Sequence, residues 1–379
     1  MNQKFFLRVS LLLAAAGASN FGAAAPVPAS STTYNYYVAT NGDDSHPGTA
    51  DLPFQTILRA SKVALPGTTV HVAPGVYTGG FKTTMSGTES QRIFYVSTVQ
   101  WGAKLVPPMS SDTKAGWDNR GSYVDIVGFE IDGSAARNGL KWTHGIYNGG
   151  SFAVIRNNLV HHVALDNPCN GGGAAGIGVD SYYRGIKSDA IGNTVHHIGQ
   201  PGCRFVQGIY ISTSGSARNN VVHNIGGAAI QLWHDANHVI ISNNTVAASM
   251  IGILVGGGDF YHTKGPNDYT VVQNNIVYDN KLGVSEQGET GTHNTYRNNL
   301  VFQSSMADWQ LRNGLTHTGT VSQAPQFVRY AKKGVLDLRL RSNSPAIGNG
   351  IDEHALRTDV PGKQRPKTGP IDIGAYQFK

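Results

Sequence analysis

Short stretches in which apolar residues alternate with small or polar ones recur along this chain, and most end in an asparagine pair followed by one or two further apolar positions. The segment from Gly208 to Val246 states the theme twice: GIYISTSGSARNNVVHNIGGAAIQLWHDANHVIISNNTV. Copies begin at Arg156 (RNNLV), Gly192 (GNTV), Arg218 (RNNVV), Ser242 (SNNTV), Gln273 (QNNIV) and Arg297 (RNNLV). Their aligned asparagines, Asn158, Asn193, Asn220, Asn244, Asn275 and Asn299, are 35, 27, 24, 31 and 24 residues apart, so a constant core carries loops of variable length. A divergent earlier copy, VDIVGFEID from Val124, has Phe129 in the asparagine position.

Each copy divides into three short strands. The first centres on Ile146, Ile177, Ile209, Ile230, Ile253 or Val284, the second precedes the asparagine (as in His238 to Ser242), and the third follows it (as in Thr245 to Val246). Three strands per turn predict a triangular coil, an all-β single-stranded parallel β-helix whose turns stack about 4.8 Å apart. Ahead of the repeats, a strand at Tyr36 to Ala39 leads to a Pro-initiated helix over 53–64, with Ile57, Leu58, Val63 and Leu65 roughly on one side. That helix is expected to cap the apolar end of the coil, with the first stacked strand starting at Thr69. The aligned asparagines are expected to form an internal ladder rather than a site.

Composition fits many short strands and tight turns: 47 residues are glycine and only 14% are charged. Residues 1–25 place Lys4 and Arg8 before an apolar run from Val9 to Ala16 and close in Ala-x-Ala, which reads as a secretory signal peptide. Residues 26–379 are then one exported β-helix domain: 34–80 cap and first turn, 123–305 the clearest repeats, 306–379 C-terminal turns and tail. Removing Lys4 and Arg8 lowers the basic count from 30 to 28 against 24 acids, so the formal charge falls from +6 to +4, compatible with an acidic polymer. The product is expected to be a soluble monomer, secreted or periplasmic, with no nucleic-acid partner and no membrane insertion.

The YYVATNGDDSHPGT…PFQTI opening, the NNxV repeats and the closing LRSNSPAIGNG…PIDIGAYQF together resemble the right-handed parallel β-helix family that includes pectate lyases, alginate lyases and mannuronan epimerases. The resemblance covers nearly all of the chain after the leader; it is specific for fold and weak for function. It implies a carbohydrate-active protein with a polysaccharide substrate, here an acidic one. Family lyases often carry clustered acidic residues for calcium. No such cluster falls on one turn here, so no cofactor and no metal site is expected. Asp43 and Asp44 in NGDDS read as a solvated Asx-turn.

Two loops, HHVALDNPCNGGGAA and HHIGQPGCRFVQ, follow the third strand of consecutive turns, with Cys169 and Cys203 at nearly equal distances from Asn158 and Asn193. In an exported protein this suggests a disulfide, the alternative being free or metal-binding thiols near the histidines. His161, His196 and His223, with His162 and His197 beside them, form outward columns, expected to hydrogen-bond from turn to turn.

The outward positions of the first strand offer the better case for chemistry. They are Tyr147, Gly178, Tyr210, Gln231, Leu254 and Ser285 in one column, and Gly149, Asp180, Ser212, Trp233, Gly256 and Gln287 in the next. Aromatic rings with an interspersed carboxylate and amides suit a saccharide groove, because sugars stack on rings while their hydroxyls take directional hydrogen bonds. In the family's epimerases an Asp-Pro-His-Asp motif supplies an active-site histidine; Leu232-Trp233-His234-Asp235 keeps the His-Asp pair and lacks the first Asp. We therefore expect His234, Tyr210, Arg184 and His144 to be catalytic, and Tyr147, Asp180, Tyr182, Lys187, Arg204, Gln231, Trp233 and Asp235 to bind substrate. The chemistry such a set serves is removal of the proton alpha to a uronate carboxylate, with Arg184, Arg204 or Lys187 stabilising the developing charge. Elimination would make a lyase, and returning the proton to the opposite face a C-5 epimerase. Glycoside hydrolysis, which needs paired carboxyl groups from among Asp180, Asp235, Asp259, Glu286 and Glu289, and a non-catalytic polysaccharide-binding module are the alternatives.

Overall fold

The computed structural model describes residues 33–379 apart from 111–112, 136–140, 332–335, 361 and 379. The expected signal peptide lies outside the described residues. Among those described, no helix is long and apolar enough to cross a membrane.

Three parallel sheets of nine, eleven and nine strands run the length of the coil, and each turn gives one strand to each sheet. The first sheet contains the Gly-Ile strands, such as Val206–Ile211 and Ala228–Leu232. The second contains those before the asparagines, such as Gly215–Arg218 and Val239–Ser242. The third contains those after them, such as Val221–Ile225 and Thr245–Ala247. Ile146, Ile177, Ile209, Ile230, Ile253 and Val284 stand in one register column of the first sheet, all buried. Parallel pairing along the axis satisfies the backbone, and the inward β-branched columns exclude water from the core.

At the corner between the second and third sheets each residue of the asparagine pair has its own task. The second asparagine forms the ladder: Nδ2 of Asn158, Asn193, Asn220, Asn244 and Asn275 each donates to Oδ1 of the asparagine one turn on, at 3.1, 3.0, 2.9, 2.9 and 2.9 Å. Phe129 caps this column, its backbone N–H donating to Asn158 Oδ1 at 2.9 Å. The left-handed conformation falls on the residue before the ladder asparagine: Asn157, Asn219, Asn243, Asn274 and Asn298 have φ between 49° and 57°, and Gly192 (φ 66°) fills that place where the pair is Gly-Asn. The first asparagines point outward and grip the C-terminal tail, Asn219 Nδ2 donating to the Thr358 carbonyl at 2.6 Å, Asn274 Nδ2 to that of Ile351 at 2.7 Å and Asn298 Nδ2 to that of Asn349 at 3.0 Å.

The capping helix is shorter than expected, Ile57–Val63, because Thr56 is its N-cap and accepts from the Arg59 N–H at 3.0 Å. Ile57, Ala60 and Ala64 enter the core. The Asp44 carboxylate is spent on the backbone N–H groups of Gln55 and Thr56, and Asp43 Oδ1 accepts from the Ser45 N–H at 2.8 Å, the Asx-turn arrangement.

On the third sheet His161, His196 and His223 are in register. Neighbouring rings stack face to face, 5.1 Å apart, instead of hydrogen-bonding between turns. Each histidine has its Nδ1 against the next residue of its own turn, and His161 Nε2 alone of the three also reaches a carboxylate one turn back, Glu130 at 3.1 Å. Burial pushes the pKa of His223 down to about 4.

Candidate functional site

An open cleft of about 820 Å³ lies along the outer face of the first sheet. Its floor is the expected column: Tyr147, Gly178, Tyr210, Gln231 and Leu254 are register partners in successive turns. Gly178 leaves a notch between two tyrosines, where a Cβ would lie 3.5 Å from His144 and 3.6 Å from Tyr147. Burial pushes the His144 pKa down to about 4, against the pull of Asp180 and Asp118, so its ring is neutral at pH 7. Trp233 lies flat over backbone at one end: a Cβ on Gly256 or Gly288 would come within 2.7 or 2.6 Å of its indole. Only glycine there lets a ring bed down on the strands.

His234 follows Trp233 in a left-handed conformation (φ 48°), which turns its ring across the strand ends. Its Nδ1 lies 2.8 Å from the Asp259 carbonyl, which can only accept, so Nδ1 carries the proton and Nε2 presents a lone pair. The Tyr261 hydroxyl donates to that Nε2 at 2.8 Å. The Tyr210 ring stands edge-on to His234, centroids 6.2 Å apart. Burial first, then the negative charges of Asp180, Asp259 and Asp235, raise the Tyr210 pKa well above its ordinary value, so its phenol is protonated. Tyr261 is also raised, by burial and the same carboxylates.

The structure brings His144, Tyr147, Asp180, Arg204, Tyr210, Gln231, Trp233 and His234 to the lining of one cleft. Asp180 accepts from the Tyr147 hydroxyl at 2.9 Å, the Ser212 hydroxyl at 2.7 Å and the Tyr182 N–H at 3.0 Å. Arg184 and Lys187 do not line the cleft. Both sit with exposed side chains in the turn that leaves the first sheet, where the Arg184 N–H closes on the Ser181 carbonyl and the Lys187 N–H on the Ser214 hydroxyl. Tyr182 stands outside it too, its exposed ring edge-on to Tyr261 at 5.5 Å. Asp235 is turned inward: Oδ1 accepts from the N–H groups of Tyr261, His262 and Thr263 at 2.9 to 3.1 Å, and Oδ2 from the Ser181 hydroxyl at 2.9 Å. Although burial alone would raise its pKa, these bonds hold it below the ordinary carboxylate range. Asp235 thereby fastens the loop that carries Tyr261.

Tyr261 and Lys281 also line the cleft and are not among the expected site residues, and Asp259, expected only as a candidate hydrolytic carboxyl group, lines it with them. The loop 258–269 leaves the end of a first strand, whereas attention fell on insertions after the third strand. Its signal was the spacing of 31 between Asn244 and Asn275, against 24 on the turn before. The other cleft edge is set by a disulfide, Cys169 to Cys203, which joins the two loops as expected and places Arg204 and Phe205 at the rim. Glu286 is internal, accepting from the Tyr296 hydroxyl at 2.7 Å and the Asn294 amide at 3.0 Å. Calcium needs several converging oxygens. Among the described residues no three carboxylates meet in the cleft, so the groups present do not make a calcium site there.

A coil of three stacked parallel sheets, with an aromatic groove along one of them, defines the right-handed parallel β-helix fold, and this chain has that fold. The model of the Pel9A-like right-handed β-helix region matches residues 36–202, which include His144, Tyr147 and Asp180 and end before Tyr210, His234 and Tyr261. Among solved structures, pectate lyase Pel9A superposes with a TM-score of 0.63 at 16% identity, covering 92% of this chain and 97% of that one. XylC in complex with xylose gives 0.52 at 15% identity, over 72% of this chain and 66% of that one. Among curated proteins, the uncharacterized protein YwoF of Bacillus subtilis (strain 168) is 25% identical over 84% of this chain and 74% of its own length.

Proposed function

We propose that this protein is a polysaccharide lyase that cleaves an anionic, uronate-containing glycan by β-elimination in the first-sheet cleft. The observation that carries this reading is the Tyr261–His234 pair, whose tautomer is set by the Asp259 carbonyl. Tyr261 takes the proton alpha to the uronate carboxylate as its own proton passes to His234 Nε2. The bond from the beta carbon to the glycosidic oxygen breaks, its electron pair leaves with that oxygen, and the new double bond forms between the alpha and beta carbons. Tyr210, held protonated among carboxylates, supplies a proton to the leaving oxygen. Arg204 and Lys281 give the cleft the positive charge that a carboxylate needs as its alpha carbon turns carbanionic. Trp233 and Tyr147 provide faces for sugar rings. The likeness to pectate lyase Pel9A supports the same class of substrate, and export through the N-terminal leader would bring the protein to such polymers.

The test is a panel of uronate polymers followed by the ultraviolet absorbance of the conjugated double bond that only elimination makes. New reducing ends without absorbance would overturn the lyase reading in favour of hydrolysis, for which Asp180 and Asp259 line the same cleft. A changed uronate composition without chain cleavage would favour epimerisation, and binding without either change a non-catalytic module.

A further inference from the structure

Where the third sheet begins its histidine column, Asp132, His161 and His162 present one oxygen and two nitrogens that all lie within 4.8 Å of one another. His161 is the centre of the group. Its Nε2 is 3.1 Å from Glu130 Oε1, an oxygen that Lys104 Nζ also approaches at 2.8 Å. An ionised carboxylate only accepts, so the His161 proton sits on Nε2 and its Nδ1 carries the lone pair. That Nδ1 faces His162 Nδ1 at 2.7 Å and Asp132 Oδ1 at 3.5 Å. The left-handed backbone of His162 (φ 55°) brings its ring round to this side.

A shared proton can join the two nitrogens but does not reach Asp132, whose Oδ1 is held in place beside them by the Ser134 N–H at 2.9 Å and the Ser134 hydroxyl at 2.5 Å. A cation bonded to all three at about 2.0–2.2 Å separates its ligand atoms by roughly 3–3.5 Å, and the separations from His161 Nδ1, 2.7 Å to His162 and 3.5 Å to Asp132, bracket that range. Glu130 then occupies the outer-shell place usual behind a metal-bound imidazole, fixing tautomer and ring direction. A cavity of about 280 Å³ lined by Gly133, Ser134, His162 and Asp166 gives the group an approach from solvent. One turn on, His196 and His197 repeat the paired Nδ1 atoms at 2.8 Å, with His197 also left-handed (φ 52°). There the position that Asp132 holds beside His161 is taken by His161 itself, so the second pair lacks a carboxylate. Among the described residues the full set occurs once, across two neighbouring turns.

We propose that Asp132, His161 and His162 form a binding site for a divalent transition-metal ion of the zinc type, on the third sheet and separate from the cleft. Two imidazoles and one carboxylate select such ions over calcium or magnesium, which take oxygen ligands. The site departs from the expectation of no metal, and it does not depend on what the cleft does.

The experiment is calorimetric titration of the untagged full chain with zinc chloride and, separately, calcium chloride. One equivalent of zinc should bind, unaffected by calcium. His162→Ala and Asp132→Asn should each weaken binding by at least about tenfold, and Glu130→Gln by about tenfold through the outer shell. His197→Ala, which alters the pair without a carboxylate, should bind zinc as the wild type does. Zinc should also raise the melting temperature of the wild type and not that of His162→Ala, whose fold is checked by its zinc-free melting curve. No heat with zinc, wild-type affinity in His162→Ala, or loss of binding in His197→Ala alone would overturn the proposal.

Discussion

The hydroxyl of Tyr261 lies 2.8 Å from Nε2 of His234, although 27 residues and a turn of the coil separate them in sequence. Asp235, next to His234, makes that contact possible by binding the backbone of residues 261–263. Proton transfer through a positioned pair contributes on the order of 10²–10⁴ in rate. Tyr261→Phe and His234→Ala should therefore each lower the elimination rate by that amount, with melting temperatures close to wild type because Tyr261 is exposed and His234 only half-buried. Initial rates on whichever uronate polymer responds are the check, and wild-type rates in both variants would remove the pair from the chemistry.

Asp235→Asn should act differently, since it touches the loop and not the substrate. Its amide would turn a donor toward N–H groups that need an acceptor, loosening residues 258–263. The expected result is a fall in kcat accompanied by faster proteolytic nicking of that loop. A variant slow in turnover but as resistant to protease as the wild type would contradict the positioning role.

The two asparagines of a pair should respond unequally. Asn244 accepts from the Asn220 N–H and amide at 2.9 Å and donates to Asn275 Oδ1 and the Ala217 carbonyl, all out of water. Asn244→Ala strands several of these groups at about 1–3 kcal/mol each, so a loss of roughly 3 kcal/mol or more is expected in urea unfolding. Asn243→Gly keeps the left-handed backbone and forfeits only long bonds, to the tail at 3.3 and 3.4 Å and from the Asn274 amide at 3.4 Å, so about 1 kcal/mol should suffice. Equal costs would mean that the division between ladder and clasp is wrong.

The fold was legible because its rules repeat. Ile209 and Ile230 mark one strand, Asn220 and Asn244 one corner, and each copy corrects errors made on the others. The disulfide was legible for the same reason, Cys169 and Cys203 falling at matched places in neighbouring turns. The cleft was only half readable: Tyr210, Gln231 and Trp233 lie on strands whose facing follows from period-2 alternation. Arg184 and Lys187 were misplaced because they follow the last regular residue of a strand, where that alternation no longer fixes direction. Tyr261 and Lys281 come from loops, and their approach to His234 or Arg204 depends on tertiary bonds such as those of Asp235. The tail clasp by Asn219 and Asn274 could not be read at all, since its partners lie 139 and 77 residues away.

Stability should fall with acid in a definite window. His144 and His223 have folded pKa values near 4, while an unfolded histidine titrates near 6.5. Between those values the unfolded chain holds protons that the native protein does not, so stability rises with pH through the window and is lost as pH drops from about 6.5 toward 4. Above 6.5 both states are neutral and the dependence vanishes. The slope approaches roughly 1.4 kcal/mol per pH unit for each such imidazole. His223→Asn, which replaces one of them with a residue that does not titrate, should flatten the curve of melting temperature against pH in this range. An unchanged slope would place the acid sensitivity elsewhere.

The disulfide ties Cys203, which is fully buried, to Cys169 in the loop that edges the cleft with Gly171 and Gly173. Arg204 and Phe205 follow Cys203 directly, so their place at the rim depends on the same tie. Opening the bond releases a loop closed over 34 residues, which by chain entropy is a loss of about 3.8 kcal/mol. His234, Tyr261 and Tyr210 are held by the first sheet and by Asp235, and their mutual geometry does not pass through either cysteine. The double variant Cys169→Ser, Cys203→Ser should therefore raise KM several-fold for an acidic polymer while kcat changes little, because the loosened group is the cation and not the proton-transfer pair. Steady-state kinetics of the double variant at a temperature where it stays folded make the distinction. A fall in kcat at unchanged KM would show that the loops serve the chemistry itself and that Arg204 is not the substrate's anchor.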